Sequence, residues 1–428
     1  MLDIKELRKD PEKIAKLLKT KDLDSDLNPL INCDTKVRAL KTEIEALLAK
    51  RNAASKKIGE LKKAKQDASS AIEAMGKVGD EIKSLQEDLR VEESTFQSLI
   101  SRLPNLPYPT VTQGQSSDEN VEIRKEGKKR EFTFTPKNHL ELSDALGLFD
   151  FKRSAKISGS GWSVYTGLGA QLEWALLNYM VDCQIEAGFE MRLVPHLVRP
   201  EVMYGIGQLP KFADQLFHVK DDDYDLYLIP TAEAALGGLY QDEILEMSEL
   251  PKLLFSYSPC FRREAGAAGV SERGLIRTHQ FNKVEMFAFS PPEKSAELFD
   301  KLVSVAESIL EGLELHYRVL ELVTGDLPFS AAKTYDLEVW LPGQHRYYEC
   351  SSVSNCDDFQ ARRANIRFKR DQTSGPEFVH TLNGSGLATS RVMVALLETH
   401  QIENGSIRIP EVLRPYMRGL DTIPAEAL

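Results

Sequence analysis

Cysteine is scarce in this 428-residue chain: Cys33, Cys183, Cys260, Cys350 and Cys356 are an odd number, thinly spread. That excludes the disulfide framework of a small secreted domain. No cysteine has a Cys-x-x-Cys or histidine spacing partner, so buried free thiols are expected and zinc is not. Apolar runs of eighteen residues are missing, so no segment is expected to span a membrane. The opening MLDIKELRKDPEKIAKLLK is an amphipathic helix that carries acids, unlike a secretory signal or a transit peptide, and the expected location is cytoplasmic. A Gly-x-x-x-x-Gly-Lys phosphate loop is also lacking, and Gly167 and Gly169 have no strand and ribose-acid context for a dinucleotide fold. What is present is 42% apolar and 28% charged residues, enough for a large core under a wet surface in two or three domains. The 54 Lys plus Arg against 65 Asp plus Glu leave a net charge of -11, so nucleic-acid contact requires a local basic patch.

Between residues 35 and 103 the apolar positions step by three and four: Val37, Leu40, Ile44, Leu47, Ala54, Ile58, Leu61, then Met75, Val78, Ile82, Leu85, Leu89, Phe96, Leu99 and Leu103. This heptad spacing, broken at 66–70, predicts an antiparallel coiled-coil hairpin with Glu92 in one seam position. Two helices of about thirty residues give an arm on the order of 45 Å long, more than a globular core needs. Near its tip the first helix carries Lys50, Arg51, Lys56, Lys57, Lys62, Lys63 and Lys65, with Glu60 the one acid among them. A basic stripe on a protruding arm suits a phosphate backbone, although charge runs also simply solvate a helix face.

Pro104, Pro107 and Pro109 end the second helix. The domains expected are 1–103 as the arm domain, 104–130 as a linker, 131–418 as a second, larger domain, and 419–428 as an unassigned tail. Strands are expected at 253–262, 275–289, 335–340 and 346–353, with helices at 169–186 and 387–401. Successive strands flanked by helices indicate an α+β fold around an antiparallel sheet. In FRREAGAAGVSERGLIRTHQFNKVE, from Phe261 to Glu285, two strands are joined by a small-residue loop, and alternation places Arg262 and Glu264 on one strand face. An arginine fork there matches phosphate oxygens.

That hairpin resembles the second signature motif of class II aminoacyl-tRNA synthetases, in the form found in seryl-tRNA synthetases. The family's other landmarks follow in order: the dimer-forming motif at the helix from Gly169 with GFEMRLVPHLVRPEVM, including Pro195; Thr231-Ala232-Glu233; YYECSSVSNCDDFQARR; and LNGSGLATSR. The resemblance spans about Met1 to Met417 and implies a class II core.

It further implies serine binding by Thr231, Ala232, Glu233, Glu285 and Ser385, with the role of each glutamate left open. ATP binding falls to Arg262, Arg263, Glu264, Glu349, Cys350, Ser351, Ser352 and Arg391. Within that set Arg262 takes the α-phosphate, Glu264 the adenine amino group and Arg391 the γ-phosphate, while Glu349 and Ser352 hold Mg²⁺. Asn383, Ser385, Gly386 and Arg391 belong to the third motif, whose Gly-rich turn is expected to open the last helix. The implied activity joins L-serine to tRNA(Ser), with tRNA(Sec) a further candidate, in a homodimer whose arm contacts the tRNA. Departures from the usual pattern fall at 234–238 (Ala-Ala-Leu-Gly-Gly), at Cys350, at Ser390, and at Ala267 and 270–272 of the hairpin loop.

Overall fold

The computed structural model describes residues 1–21, 23, 26–265 and 274–425. The chain divides into two compact units, Leu2–Lys19 with Leu23–Pro104, and Asn105–Leu428 together with Met1 and the residues around Lys21.

The regular structure of the first unit is helical among its described residues: α1 (Ile4–Lys9), α2 (Pro11–Thr20), α3 (Asn28–Lys63) and α4 (Ser69–Ile100). α3 and α4 form the expected hairpin, and α3 starts nine residues before Val37, the first seam position, with Pro29 in its first turn. At 36 and 32 residues the two helices are about 54 and 48 Å long. The seam positions from Val37 to Leu61 and from Met75 to Leu103 are all buried or half-buried, while their neighbours around the helix are mostly exposed. Glu92, in its seam position, receives a bond from Lys36 at 3.2 Å and one from the Cys33 thiol. At the base the buried Asp34 binds Arg8 of α1 at 2.5 Å and Arg38 at 3.0 Å, and the Arg8 hydrogen bond holds its carboxyl below the usual range.

The second unit is built on an eight-stranded sheet: β1 (Val121–Glu126), β2 (Glu190–Met191), β3 (Lys252–Phe261), β4 (Gln280–Ser290), β5 (Tyr317–Glu321), β6 (Lys333–Leu341), β7 (Arg346–Asn355) and β8 (His380–Ala388). The order is β1-β5-β6-β7-β8-β4-β3-β2, antiparallel throughout except for β2 against β3. Around it lie α5 (Gly167–Glu186), α6 (Glu233–Gly237), α7 (Ser295–Gly312), α8 (Phe359–Ala364) and α9 (Thr389–His400). Val284, Met286 and Ala288 of β4 share one core with Leu172, Leu176 and Met180 of α5, Leu302, Ala306 and Leu310 of α7, and Val392 and Leu396 of α9. Phe287 and Phe289, pointing the other way, pack with Ala232, Leu236 and Phe368. A strand covered on both faces loses the polar alternation of a half-exposed one.

Three expectations are corrected. Residues 104–130 are more than a linker, because β1 pairs with β5 at the sheet edge with a register shift between Glu122 and Arg124; only Val121 and Arg124 of that strand are even half-buried, so its burial does not follow the alternation of Val121 and Ile123. The strand expected at 275–289 begins only at Gln280. The tail is structured through Ile423, which is buried where Thr422–Ile423 pairs with Ile407–Arg408. All five cysteines are free, four of them buried, and no helix of the described residues is long and apolar enough to cross a membrane.

Candidate active site

The face of the sheet away from α5, α7 and α9 carries a cavity of about 700 Å³, within the range of small-molecule sites. Strand parity delivers its floor. Lys283 and Glu285 share the parity of Phe287 on β4 and open into the cavity, as do Asn383 and Ser385 on β8. Ser385 lies directly opposite Glu285 in register, and its hydroxyl donates to Glu285 Oε2 at 3.4 Å. Lys283 Nζ meets the same oxygen at 2.5 Å, with side chains only 7% and 2% exposed. Such a buried pair gives back little net stability after desolvation, so its place on the floor of a cavity points to a use there.

Glu233 begins α6 on the adjoining wall, its N–H bonded to the hydroxyl of the buried Thr231 at 3.2 Å. Its Oε1 accepts from Gln360 at 2.7 Å and Asn383 at 3.3 Å. Enclosure by protein, followed by the like charge of Glu285, pushes the Glu233 carboxyl up to about 7, against the pull of Gln360, Lys283 and Arg262. One end of the cavity thus gathers two carboxylates, a hydroxyl and amides, a set that answers an ammonium and a hydroxyl group.

Arg262 lines both this cavity and a smaller neighbouring one. Its Nε donates to the Pro230 carbonyl at 3.3 Å, and the guanidinium lies 5.1 Å from the Phe281 ring centroid. The expectation that alternation aligns Arg262 with Glu264 is corrected: β3 ends at Phe261, and both residues follow it, Glu264 with φ of +48°. An irregular backbone places both at the cavity. Glu264 is braced by Arg277 at 2.5 Å.

The second cavity adds Arg391, which lies in the first turn of α9, donates to the Glu349 carbonyl at 2.7 Å and reaches its carboxylate at 3.3 Å. Glu349 and Ser352 differ in parity yet both line the main cavity, because β7 carries a bulge: Leu337 faces Ser351 and Glu338 faces Glu349, leaving Cys350 without a partner. Opposite Ser352, burial and the charge of Glu349 hold the Asp336 carboxyl well above its ordinary range.

Other expected residues lie elsewhere. Ala232 is packed in the core with Leu236 and Phe287. Arg263 does not line either cavity, and its backbone N–H bonds to Gln215. Ser351 donates to the Ser385 carbonyl at 2.6 Å, tying β7 to β8. The Cys350 thiol is turned onto the Leu337 carbonyl in the core, and the residue borders only the smaller cavity. Asn383, Ser385 and Gly386 stand on β8 rather than in a turn, and a Cβ at Gly386 would meet Gln184 Nε2 at 2.1 Å, so that glycine serves packing. Ala267 and 270–272 lie outside the described residues. Lys283 and Gln360 emerge only from the structure; the signal available for Lys283 was its spacing of two from Glu285 on a strand.

Two family models match the chain: "Seryl-tRNA synthetase N-terminal domain" over residues 1–107 and "tRNA synthetase class II core domain (G, H, P, S and T)" over 217–400. The chain is 50% identical over 425 residues to the serine–tRNA ligase of Geobacillus kaustophilus, covering 99% of this chain and all of that one. It is 48% identical to that of Chlamydia abortus over 423 residues, again 99% and 100% of the two chains. The crystal structure of seryl-tRNA synthetase from Pyrococcus horikoshii complexed with ATP superposes with a TM-score of 0.91 at 38% identity, covering 99% of both chains. With the hairpin unit, the eight-stranded core and these full-length similarities together, the chain belongs to the seryl-tRNA synthetase family of class II aminoacyl-tRNA synthetases.

Proposed function

We propose that the cavity activates L-serine with ATP, giving seryl-adenylate and pyrophosphate, and then transfers the seryl group to the 3′-terminal ribose of tRNA(Ser) with release of AMP. One observation carries the reading: Glu233, Glu285 and Ser385 gather at one end, and Arg262 stands at the join with a second cavity lined by Glu264 and Arg391. The carboxylates take the serine ammonium and hydroxyl, so analogues lacking the hydroxyl leave site groups unpaired. The serine carboxylate attacks the α-phosphorus, the bond to the bridging oxygen breaks, and pyrophosphate leaves with that electron pair. Arg262 neutralises the charge growing on the α-phosphate, Glu264 orients the adenine, and Arg391 holds the γ-phosphate. No general base is needed for this step, because the attacking carboxylate is ionised at neutral pH.

Glu349 and Ser352 offer oxygen donors beside the high-lying Asp336 carboxyl, a set that fits a hard divalent cation such as Mg²⁺. Among the described residues no group of three or more His, Cys, Asp or Glu could hold a metal ion alone, which suits a cation that takes most of its ligands from substrate phosphates and water. When bound, Mg²⁺ supplies charge neutralisation to the triphosphate.

Lys36 and Lys41, low on the arm, are paired across the hairpin with Glu92 and Glu93 at 3.2 and 2.7 Å. Lys50, Lys56, Lys57, Lys62, Lys63 and Lys65 near the tip are exposed, Arg51 is half-buried, and none of the seven is in an ion pair among the described residues. That stripe is the tRNA-contacting surface in this reading. Trp174 and Ile185 of α5, Met191 of β2 and the 80% exposed Leu193 leave apolar side chains open at the sheet edge, a surface that a second copy covers in a cytoplasmic homodimer. Sedimentation of the purified chain at twice its own mass is the check.

Glu233→Gln tests the serine end. In ATP–pyrophosphate exchange the KM for serine rises about thirtyfold, while that for ATP stays within about twofold, because one charge-assisted bond is lost. Removal of a strained buried charge also raises the thermal midpoint of the empty protein at pH 8, since a carboxyl with a raised folded-state pKa costs stability as pH climbs through that value. An unchanged KM for serine would remove Glu233 from the site.

A further inference from the structure

Gln360 stands behind Glu233 on α8, only 2% exposed, and every polar atom of its amide is engaged. Nε2 donates to Glu233 Oε1 at 2.7 Å and to the Ile206 carbonyl at 3.2 Å, while Oε1 accepts from the Thr381 hydroxyl at 2.7 Å. The flipped amide would set its oxygen against a carboxylate and a carbonyl, so its neighbours dictate one orientation. Thr381, fully enclosed on β8, completes that choice by donating to Oε1. A buried side chain whose amide nitrogen and oxygen are both engaged, with a donor aimed at a single oxygen of a site carboxylate, fixes where that carboxylate points.

We propose that Gln360, oriented by Thr381, is a positioning residue for amino-acid recognition: it holds Glu233 as the charged acceptor for the ammonium group of the incoming amino acid. The inference rests on the serine-pocket reading above. The other groups facing Glu233 are Glu285 and Lys283 from β4, Arg262 just after β3, Asn383 from β8 and the Cys356 thiol just after β7. Burial and Glu285 favour the protonated form of Glu233, and the Gln360 amide is the strongest influence toward the charged form, ahead of Lys283 and Arg262. Loss of that amide therefore moves the ionisation of Glu233 to higher pH. Serine binding, which needs the carboxylate, then weakens most on the acid side.

The test measures KM for serine and for ATP by pyrophosphate exchange between about pH 6 and 8.5, for the full chain and its Gln360→Met, Thr381→Val and Glu233→Gln variants. Gln360→Met raises the KM for serine about tenfold at pH 7 and about threefold or less at pH 8.5, with the KM for ATP within about twofold. Thr381→Val shifts the profile the same way by a smaller amount, and it decides the matter if Gln360→Met does not fold. A purely structural role would lower the thermal midpoint or turnover and leave the shape of the pH profile alone; that outcome overturns the proposal. If Glu233→Gln leaves the KM for serine unchanged, the pocket reading itself fails. If Glu233→Gln raises that KM and flattens its pH dependence while the other two variants keep the original profile, only the role of Gln360 fails.

Discussion

Arg262→Ala slows seryl-adenylate formation about a thousandfold, the upper range for loss of one preorganised donor to a developing charge. The KM for serine changes by about threefold or less, because the carboxylates and hydroxyl proposed to recognise the amino acid are untouched. The fold is expected to survive: Arg262 is exposed at the cavity mouth, and it makes one long bond to the Pro230 carbonyl and a ring contact with Phe281. The thermal midpoint accordingly moves by no more than about 2 °C. Arg262→Lys recovers only part of the rate, since an ammonium cannot reproduce a planar fork against two phosphate oxygens. Single-turnover measurement of adenylate checks both variants, and an undiminished rate would remove Arg262 from the α-phosphate.

Deleting residues 40–95 and closing the gap with a short glycine-rich turn separates the two steps in the opposite way. The cross-hairpin pairs Lys36 with Glu92 and Lys41 with Glu93 put the two cut ends at similar heights. The base keeps the Arg8 and Asp34 pair and the buried Leu30 and Ile100. Adenylate formation stays within about twofold, whereas tRNA charging falls by about a hundredfold or more, since several phosphate contacts disappear at once. Charging by the intact chain also drops steeply between about 50 and 200 mM salt, and the truncated chain loses that dependence. Equal loss of both activities would assign the arm to folding instead.

The arm was legible because its signal is local and repetitive: a seam from Val37 to Leu61 and from Met75 to Leu103 sets helix, hairpin and buried face together. The cavity was legible through residue types in order along the chain, but its geometry depends on features that period-two alternation does not encode. The bulge at Cys350 is what turns Glu349 and Ser352 to the same side, and the left-handed backbone of Glu264 lies beyond the end of its strand. Ser351 and Ala232 sit beside site residues in sequence and point away from them, one binding the neighbouring strand and the other filling the core. Gln360 was illegible for a different reason. A glutamine in an arginine-rich FQARR stretch reads as surface, and only the packing of α8 against β8 brings it behind Glu233.

The most direct measurement is ATP–pyrophosphate exchange by the purified chain with each amino acid in turn, alanine and threonine included, with and without Mg²⁺. Exchange that requires Mg²⁺ and is at least about a hundredfold more efficient with serine than with alanine is the expected result, because a site built to bond a hydroxyl rejects the analogue lacking it. Equal exchange with alanine, or none with any amino acid, would contradict serine activation in this cavity.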